Sequence, residues 1–124
     1  MQKVYYLKTC DTCTRILKEI DLPASFELQE IKDQEITVKQ IEHMHELSGS
    51  YEALFSKRAK LYKERDLKNE QLTEEDYKRF ILEHYTFLKR PVFINKDEIF
   101  IGNSKKVVAA AKASIQANWT SNKP

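Results

Sequence analysis

The two cysteines of this chain, Cys10 and Cys13, are separated by two residues and are its only thiols. They follow a short β-prone apolar run, residues 4–7, and open an amphipathic helical pattern. A helix N-terminus carries partial positive charge and N–H groups without intrahelical partners, so a cysteine there has a lowered pKa and is a better nucleophile. We expect Cys10 at or just before the first turn and Cys13 one turn further in, where it could attack a mixed disulfide on Cys10. Cys-x-x-Cys beside a βαβ unit is typical of thioredoxin-like redox chemistry.

Two other interpretations of the thiols stay open at this point. Free cysteine is among the most frequently buried residue types, so the pair could simply pack in the core. The pair could also be half of a zinc site, but a closed site needs four ligands, and only His43, His45 and His84 could add nitrogens. His43 and His45 are two apart and would face different sides of a helix.

Charged residues near the first cysteine act in both directions. Asp11 directly follows Cys10, and a neighbouring carboxylate disfavours a thiolate. Lys8 and Arg15 are candidate counter-charges, although the sequence alone does not place them relative to the thiol.

Arg90 and Pro91 form the second feature, because they directly precede an apolar triplet, residues 92–94. A proline that opens a buried strand has no N–H to donate and must lie at a strand start or a sheet edge. An Arg-Pro bond can be cis at modest cost, and a cis bond here would expose backbone groups to an incoming substrate. The alternative is an ordinary proline that leads a loop into a strand.

Composition and charge narrow the class of protein. Charged residues make up 32% of the chain, the net charge is +2 and the mean hydropathy is −0.62, a soluble profile that demands no nucleic-acid partner. The basic segment 56–66 reads as a solvated helix face. No secretory signal and no run of about 20 apolar residues is evident, so we expect no membrane association and a cytoplasmic protein. Thiols in that compartment are usually kept reduced.

The elements that must position these residues follow the order β-α-β, three helices, β-β-α. The first helix should end at Pro23, and residues 26–31 should form the second strand. Residues 37–88 read as helical, with Thr37 and Thr73 as helix starts, a break at residues 48–50 and a shorter middle helix between Tyr51 and Tyr62. Residues 92–101 read as a hairpin, and Ser104 as the N-cap of the last helix. This order predicts an α/β fold with a mixed four-stranded sheet.

Several segments together make the chain resemble the arsenate reductase-like family of thioredoxin-fold proteins, which includes Spx- and MgsR-type regulators. They are "YYLKTCDTC" (5–13), the helical insert, "EALFSKRAKLYKE" (52–64), "FLKRPVFI" (87–94) and "IFIGNSKK" (99–106). The resemblance implies one domain, with a thioredoxin-like core at 1–34 and 88–116 and an all-helical insertion at 35–87. Residues 117–124 should be a flexible tail.

The resemblance also implies roles for individual residues. The family's nucleophilic cysteine matches Cys10, and its Arg-Pro motif matches Arg90 and Pro91, where the arginine binds oxyanions and the proline is cis. Two further arginines of the arsenate reductases fall at Ser56 and Gly102 in this chain, so the resemblance does not extend to a complete arsenate site.

The second cysteine bears on the choice within the family. The arsenate reductases of this type usually lack it, whereas Spx-type proteins have the Cys-x-x-Cys, so Cys13 looks Spx-like. Spx-type regulators bind RNA polymerase.

We therefore predict a thiol–disulfide oxidoreductase with Cys10 as nucleophile and Cys13 as resolving thiol. Arg90 would stabilise the thiolate or an anionic substrate group, and Pro91, Arg58 and Lys8 would bind the substrate. No metal or bound cofactor is expected, and glutathione or another thiol reductant would be a co-substrate. The alternative is a redox-sensing regulator in which the Cys10–Cys13 disulfide is the switch and a protein such as RNA polymerase is the partner.

Overall fold

The structure is a computed structural model that describes residues 1–121, with side-chain burial described through residue 117. It divides into two compact units. The sheet unit comprises the residues up to Ile31 and from Arg90 onward, and the helical unit comprises Lys32–Lys89.

The helices and strands follow one another in the predicted order. They are β1 (Gln2–Tyr6), α1 (Asp11–Ile20), β2 (Glu27–Glu30), α2 (Val38–Ser48), α3 (Lys60–Glu64), α4 (Glu74–Glu83), β3 (Val92–Asn95), β4 (Glu98–Ile101) and α5 (Lys105–Ser121), with 3₁₀ turns at Glu52–Leu54, Leu67–Asn69 and Tyr85–Phe87. No helix within the described residues is long and apolar enough to cross a membrane.

The four strands form a single mixed sheet in the order β2-β1-β3-β4. β1 and β2 are parallel, while β3 is antiparallel to both β1 and β4. The α/β fold with a mixed four-stranded sheet is thus confirmed. Since β1 and β2 are parallel, their carboxyl ends meet at the same edge of the sheet, and β3 begins at that edge because Val92 pairs with Tyr5.

One face of the sheet packs against α1 and α5. The apolar side chains of this core are Val4 and Phe93 from the sheet, Ile16 and Ile20 from α1, Phe26 from the loop before β2, and Val108, Ala111 and Ile115 from α5. The spacing of the α1 and α5 residues is the three-to-four-residue repeat that puts side chains on one helix face. The apolar stripes of α1, which follows the two cysteines, and of α5 therefore fix both helices to the sheet.

α1 and β2 each show a detail that the sequence pattern did not predict. α1 ends at Ile20 and not at Pro23, because Asp21 takes a left-handed conformation (φ 55°) and its N–H donates to the Leu17 carbonyl at 3.3 Å. In β2, Leu28 is 51% exposed while the polar Gln29 is buried, so the apolar residue lies on the open side of this edge strand.

Both longer helices of the helical unit begin at the predicted threonines, and α2 ends at the predicted break. Thr37 and Thr73 each form a capping box, with Gln40 and Asp76 respectively. Gly49 ends α2 in a left-handed conformation (φ 80°), where its N–H donates to the His45 carbonyl at 2.7 Å.

The middle of the helical unit is more broken than predicted. The segment expected to form one shorter helix is a 3₁₀ turn followed by the five-residue α3. The two are separate because Phe55 is extended and bridges Leu88, flanked by hydrogen bonds from Ser56 N–H to the Phe87 carbonyl (2.7 Å) and from Lys89 N–H to the Leu54 carbonyl (2.8 Å). Phe55 also stacks on Phe87, with ring centroids 5.3 Å apart.

The last helix is capped as expected and runs past the predicted start of the tail. Ser104 accepts the Val107 N–H at its hydroxyl (3.2 Å) and the Val108 N–H at its carbonyl (2.9 Å). The flexible tail was predicted for residues 117–124. The backbone is helical to Ser121, and residues 122–124 lie outside the described residues.

Candidate active site

Cys10 occupies the N-cap of α1, as the sequence predicted. A tight turn follows β1, closed by a hydrogen bond from the Cys10 N–H to the Leu7 carbonyl at 3.0 Å. The Cys10 backbone is extended (φ −91°, ψ 109°), and its Sγ accepts a hydrogen bond from the Cys13 backbone N–H at 3.5 Å. A thiol therefore takes the capping position that serine, threonine, aspartate or asparagine usually fills.

The two thiols differ in accessibility. Cys13 is completely buried, whereas Cys10 is half-buried, and both are free cysteines. The interpretation that both cysteines merely pack in the core fits Cys13 alone. Cys10 is the thiol that a reagent from solution would meet first.

The surroundings of Cys10 favour its thiolate. Burial raises the pKa of Cys10, but hydrogen bonds from the Cys13 backbone and side chain, together with the positive charge of Arg90, outweigh burial and hold that pKa below its ordinary value. Of the three cations that the sequence suggested for this role, Lys8, Arg15 and Arg90, it is Arg90 whose charge lowers the pKa of Cys10. Arg15 is exposed on α1, and Asp11 is the exposed first residue of that helix.

The surroundings of Cys13 favour its neutral thiol. Burial and, to a smaller extent, the neighbouring Cys10 raise the pKa of Cys13 to about 12. A hydrogen bond with the Leu7 backbone and the charge of Arg90 act in the opposite direction without cancelling the effect of burial. The site therefore holds one thiol that ionises readily and one that does not, next to each other in one helical turn.

Arg90 and Pro91 reach this site through the sheet. They directly precede β3, whose first residue, Val92, pairs with Tyr5 near the end of β1. The Arg90–Pro91 peptide bond is cis, as the resemblance implied, and the Pro91 carbonyl accepts the Gly102 N–H at 2.9 Å. Arg90 is half-buried, and its charge acts on both thiols.

The other two residues expected to bind substrate lie in different units. Lys8 is exposed in the turn between β1 and α1, two residues before Cys10. Arg58 is exposed in the helical unit, in the turn before α3. Substrate contacts of Lys8 and Arg58 stay predictions.

The zinc interpretation finds no ligand set in the part of the chain that the structure describes. Within residues 1–121, no three His, Cys, Asp or Glu side chains converge to hold a metal ion. The histidines considered for such a site, His43, His45 and His84, all belong to the helical unit.

Sequence reasoning missed two residues that shape the turn before Cys10. The Leu7 backbone bonds to both cysteines, accepting the Cys10 N–H and hydrogen-bonding the Cys13 thiol. The carboxylate of Glu30 accepts the Lys8 backbone N–H at 2.6 Å. An acidic residue at the carboxyl end of β2 was the available signal, because β1 and β2 are parallel and end at the same edge.

The sheet is mixed and follows a β-α-β and β-β-α order, with a Cys-x-x-Cys at the first helix start and a cis proline before β3. Together these features define a thioredoxin-like fold with a thiol site. Within that class, the model of the ArsC family matches residues 5–111, so the chain belongs to the ArsC family. This membership places it in a family of thiol-based redox proteins.

Solved structures share the fold. A protein of Bacteroides fragilis described as ArsC family related has 21% identity and a TM-score of 0.73, over 89% of this chain and 96% of that chain. An arsenate reductase from Vibrio cholerae has 17% identity and a TM-score of 0.72, over 89% and 98%. A protein of Staphylococcus aureus COL, solved by NMR, has 25% identity and a TM-score of 0.72, over 90% and 98%. No curated protein matched the chain closely enough to count as a relative.

Proposed function

We propose that this protein is a thiol–disulfide oxidoreductase in which Cys10 is the nucleophile and Cys13 the resolving thiol. The observation that carries the proposal is the asymmetry of the pair. The half-buried Cys10 accepts a hydrogen bond from the Cys13 N–H at a helix start, while Cys13 is fully buried. Reactive cysteines typically lie in electropositive, partly exposed surroundings, and the surroundings of Cys10 fit that description.

The reaction proceeds in two exchanges. The Cys10 thiolate attacks a substrate disulfide, so that a mixed disulfide forms at Cys10 and one substrate thiolate leaves. Cys13 then gives its proton to the departed substrate thiolate or to water and attacks the Cys10 sulfur, which forms the Cys10–Cys13 disulfide and releases the second substrate thiolate. The substrate gains two electrons and the two cysteines lose them. Two glutathione molecules, or another thiol reductant, then reduce the Cys10–Cys13 disulfide and are themselves oxidised to a disulfide.

The charge of Arg90 serves this reaction in two ways. It favours the Cys10 thiolate before the attack, and it acts on Cys13 when that thiol must ionise. Its guanidinium could also bind an anionic substrate group such as a glutathione carboxylate. In this proposal Pro91, Lys8 and Arg58 bind the substrate, and the protein works in the cytoplasm, where thiol reductants are abundant.

A second function, redox sensing without turnover, is favoured by a departure from the arsenate reductases. The resemblance implies arginines at two positions that hold Ser56 and Gly102 in this chain. Gly102 has φ +94°, a conformation that side-chain-bearing residues rarely adopt. In this alternative the Cys10–Cys13 disulfide is a switch, and oxidation changes affinity for a protein partner such as RNA polymerase.

The roles of the two thiols are tested by trapping the mixed disulfide. Cys13→Ser removes the thiol that would resolve the mixed disulfide. This variant should therefore accumulate one glutathione adduct on Cys10 after treatment with glutathione disulfide, measured by intact mass. The matched variant, Cys10→Ser, should form little adduct because Cys13 is buried. Adduct on Cys10→Ser alone would reverse the roles, and equal adducts on both variants would show that neither thiol is privileged.

Turnover separates the enzyme from the sensor. Purified protein with glutathione and a small disulfide should sustain catalysis for many cycles if it is an oxidoreductase. A single stoichiometric oxidation with no further turnover, together with oxidation-dependent retention of an RNA polymerase subunit, would favour the sensor.

A further inference from the structure

The turn before Cys10 is held from outside by a residue on another strand. Glu30 is the last residue of β2, and in the parallel register it pairs with Tyr6, the last residue of β1. Its carboxylate Oε2 accepts the backbone N–H of Lys8 at 2.6 Å, two residues before the nucleophile in the chain. The Ile31 N–H adds a second tie at this edge by donating to the Tyr6 carbonyl at 3.0 Å.

The same turn makes the hydrogen bonds that define the thiol site. Its first residue, Leu7, accepts the Cys10 N–H at 3.0 Å, and the Cys13 N–H donates to the Cys10 Sγ at 3.5 Å. Lys8 lies in this turn between Leu7 and Cys10, and its N–H points to the Glu30 carboxylate. A carboxylate that accepts a backbone N–H makes a charge-assisted hydrogen bond, which is roughly twice as strong as a neutral one.

We infer that Glu30 is a positioning residue for the thiol site, which holds the turn of residues 7–10 in the geometry that lets Cys10 accept the Cys13 N–H. This inference rests on the proposed function of Cys10 as the nucleophile. In this role Glu30 acts through the Lys8 backbone.

The hydrogen bond that Glu30 accepts and its negative charge have opposite expected effects on the pKa of Cys10. A carboxylate near a thiol disfavours the thiolate on general electrostatic grounds, whereas an ordered turn favours the Cys10 thiolate through the Cys13 hydrogen bond. Substitutions that change one property at a time separate the two effects. Glu30→Gln and Glu30→Ala are both neutral, but only glutamine keeps a side-chain acceptor that reaches Lys8. The wild type and Glu30→Asp are both charged, but the aspartate carboxylate is one methylene shorter.

The test is the rate of alkylation of Cys10 by iodoacetamide as a function of pH, with the modified cysteine identified by mass. Glu30→Ala should react more slowly than Glu30→Gln at neutral pH, and Glu30→Asp more slowly than the wild type, by about threefold or more in each case. The slower protein of each pair lacks a side-chain acceptor that reaches Lys8, so the thiolate fraction of its Cys10 is smaller. The pH midpoint of the reaction should move upward in Glu30→Ala relative to Glu30→Gln, and in Glu30→Asp relative to the wild type.

Each result decides the inference. Equal alkylation rates and equal pH midpoints within both pairs overturn the inference. An equal shift of the midpoint in Glu30→Gln and Glu30→Ala relative to the wild type also overturns it, because that result would reveal an effect of charge alone. A merely structural role would lower the melting temperature without moving the midpoint. Because the two pairs are independent, Glu30→Asp decides if Glu30→Ala fails to fold. The midpoint of the wild type tests the nucleophile separately: an ordinary value there removes support for the oxidoreductase, whatever the differences within the pairs.

Discussion

The backbone N–H of Cys13 donates to the Sγ of Cys10 at 3.5 Å, so each cysteine sets the acidity of the other. The bond favours a charged Cys10, and a charged Cys10 disfavours a second negative charge on Cys13. Opposite acidities are what a nucleophile and a resolving thiol require in the reduced protein. Once Cys10 is in a mixed disulfide, its charge is gone, and one cause of the raised pKa of Cys13 disappears with it.

The first prediction concerns the acidity of Cys10. Its pKa in the reduced protein should lie below the ordinary value of about 8.5, because the Cys13 hydrogen bonds and Arg90 outweigh burial. Thiolate ultraviolet absorbance against pH measures it, and Cys10→Ser is the control that should lose the low-pH transition. A transition at or above the ordinary value would contradict the activated-nucleophile interpretation.

The second prediction concerns Arg90. Arg90→Ala should raise the pKa of Cys10, because a positive charge that favours the thiolate is removed. Arg90→Lys keeps the charge and should retain part of the effect. Alkylation rates at neutral pH should therefore fall in the order wild type, Arg90→Lys, Arg90→Ala. Unchanged rates in Arg90→Ala would show that the Cys13 hydrogen bonds suffice by themselves.

Local sequence signals predicted much of this fold because the interactions behind them are local. Thr37 and Thr73 cap their own helices, and Gly49 ends one through its own backbone conformation. These features depend on a few neighbouring residues, so the sequence contains them directly. Two apolar triplets on either side of a polar turn likewise predicted β3 and β4.

The features that sequence reasoning missed depend on pairing between distant segments. Phe55 is extended and not helical because it bridges Leu88, and no sequence pattern around Phe55 predicts that pairing. The same holds in the site, where the thiols and the Arg-Pro motif were predicted but the bond from Lys8 to Glu30 was not. That bond exists only because β1 and β2 are parallel and in register, so it could be expected only after the sheet was known.

The third prediction concerns arsenate. An oxyanion needs several convergent donors, and two of the arginines that the resemblance would require are replaced by Ser56 and Gly102. Glutathione-dependent arsenate reduction should therefore be weak or absent under conditions in which an arsenate reductase assayed in parallel is active. Robust reduction by this protein would mean that another cation, such as Arg58 or Lys105, takes the missing role.

The fourth prediction concerns stability at alkaline pH and Tyr5, which is the second-last residue of β1 and is 1% exposed. Burial and, to a smaller extent, the negative charge of Glu27 raise the pKa of Tyr5 from 10.0 to about 12. A group whose pKa is raised by folding stabilises the protein fully below its unfolded pKa. That contribution is lost as the pH rises from about 10 towards about 12, because the unfolded chain ionises first.

Tyr5→Phe removes this titration, and Tyr6→Phe on the opposite face of the strand is the matched control, since Tyr6 is only half-buried. Urea unfolding should be followed at a series of pH values in a Cys10→Ser/Cys13→Ser background, because Cys13 also titrates in this range. The free-energy advantage of tyrosine over phenylalanine at position 5 should shrink above pH ~10 by up to about 1.4 kcal/mol per pH unit. The difference at position 6 should change less over the same range. A difference at position 5 that does not vary with pH would show that the Tyr5 hydroxyl ionises as easily in the folded protein as in the unfolded chain.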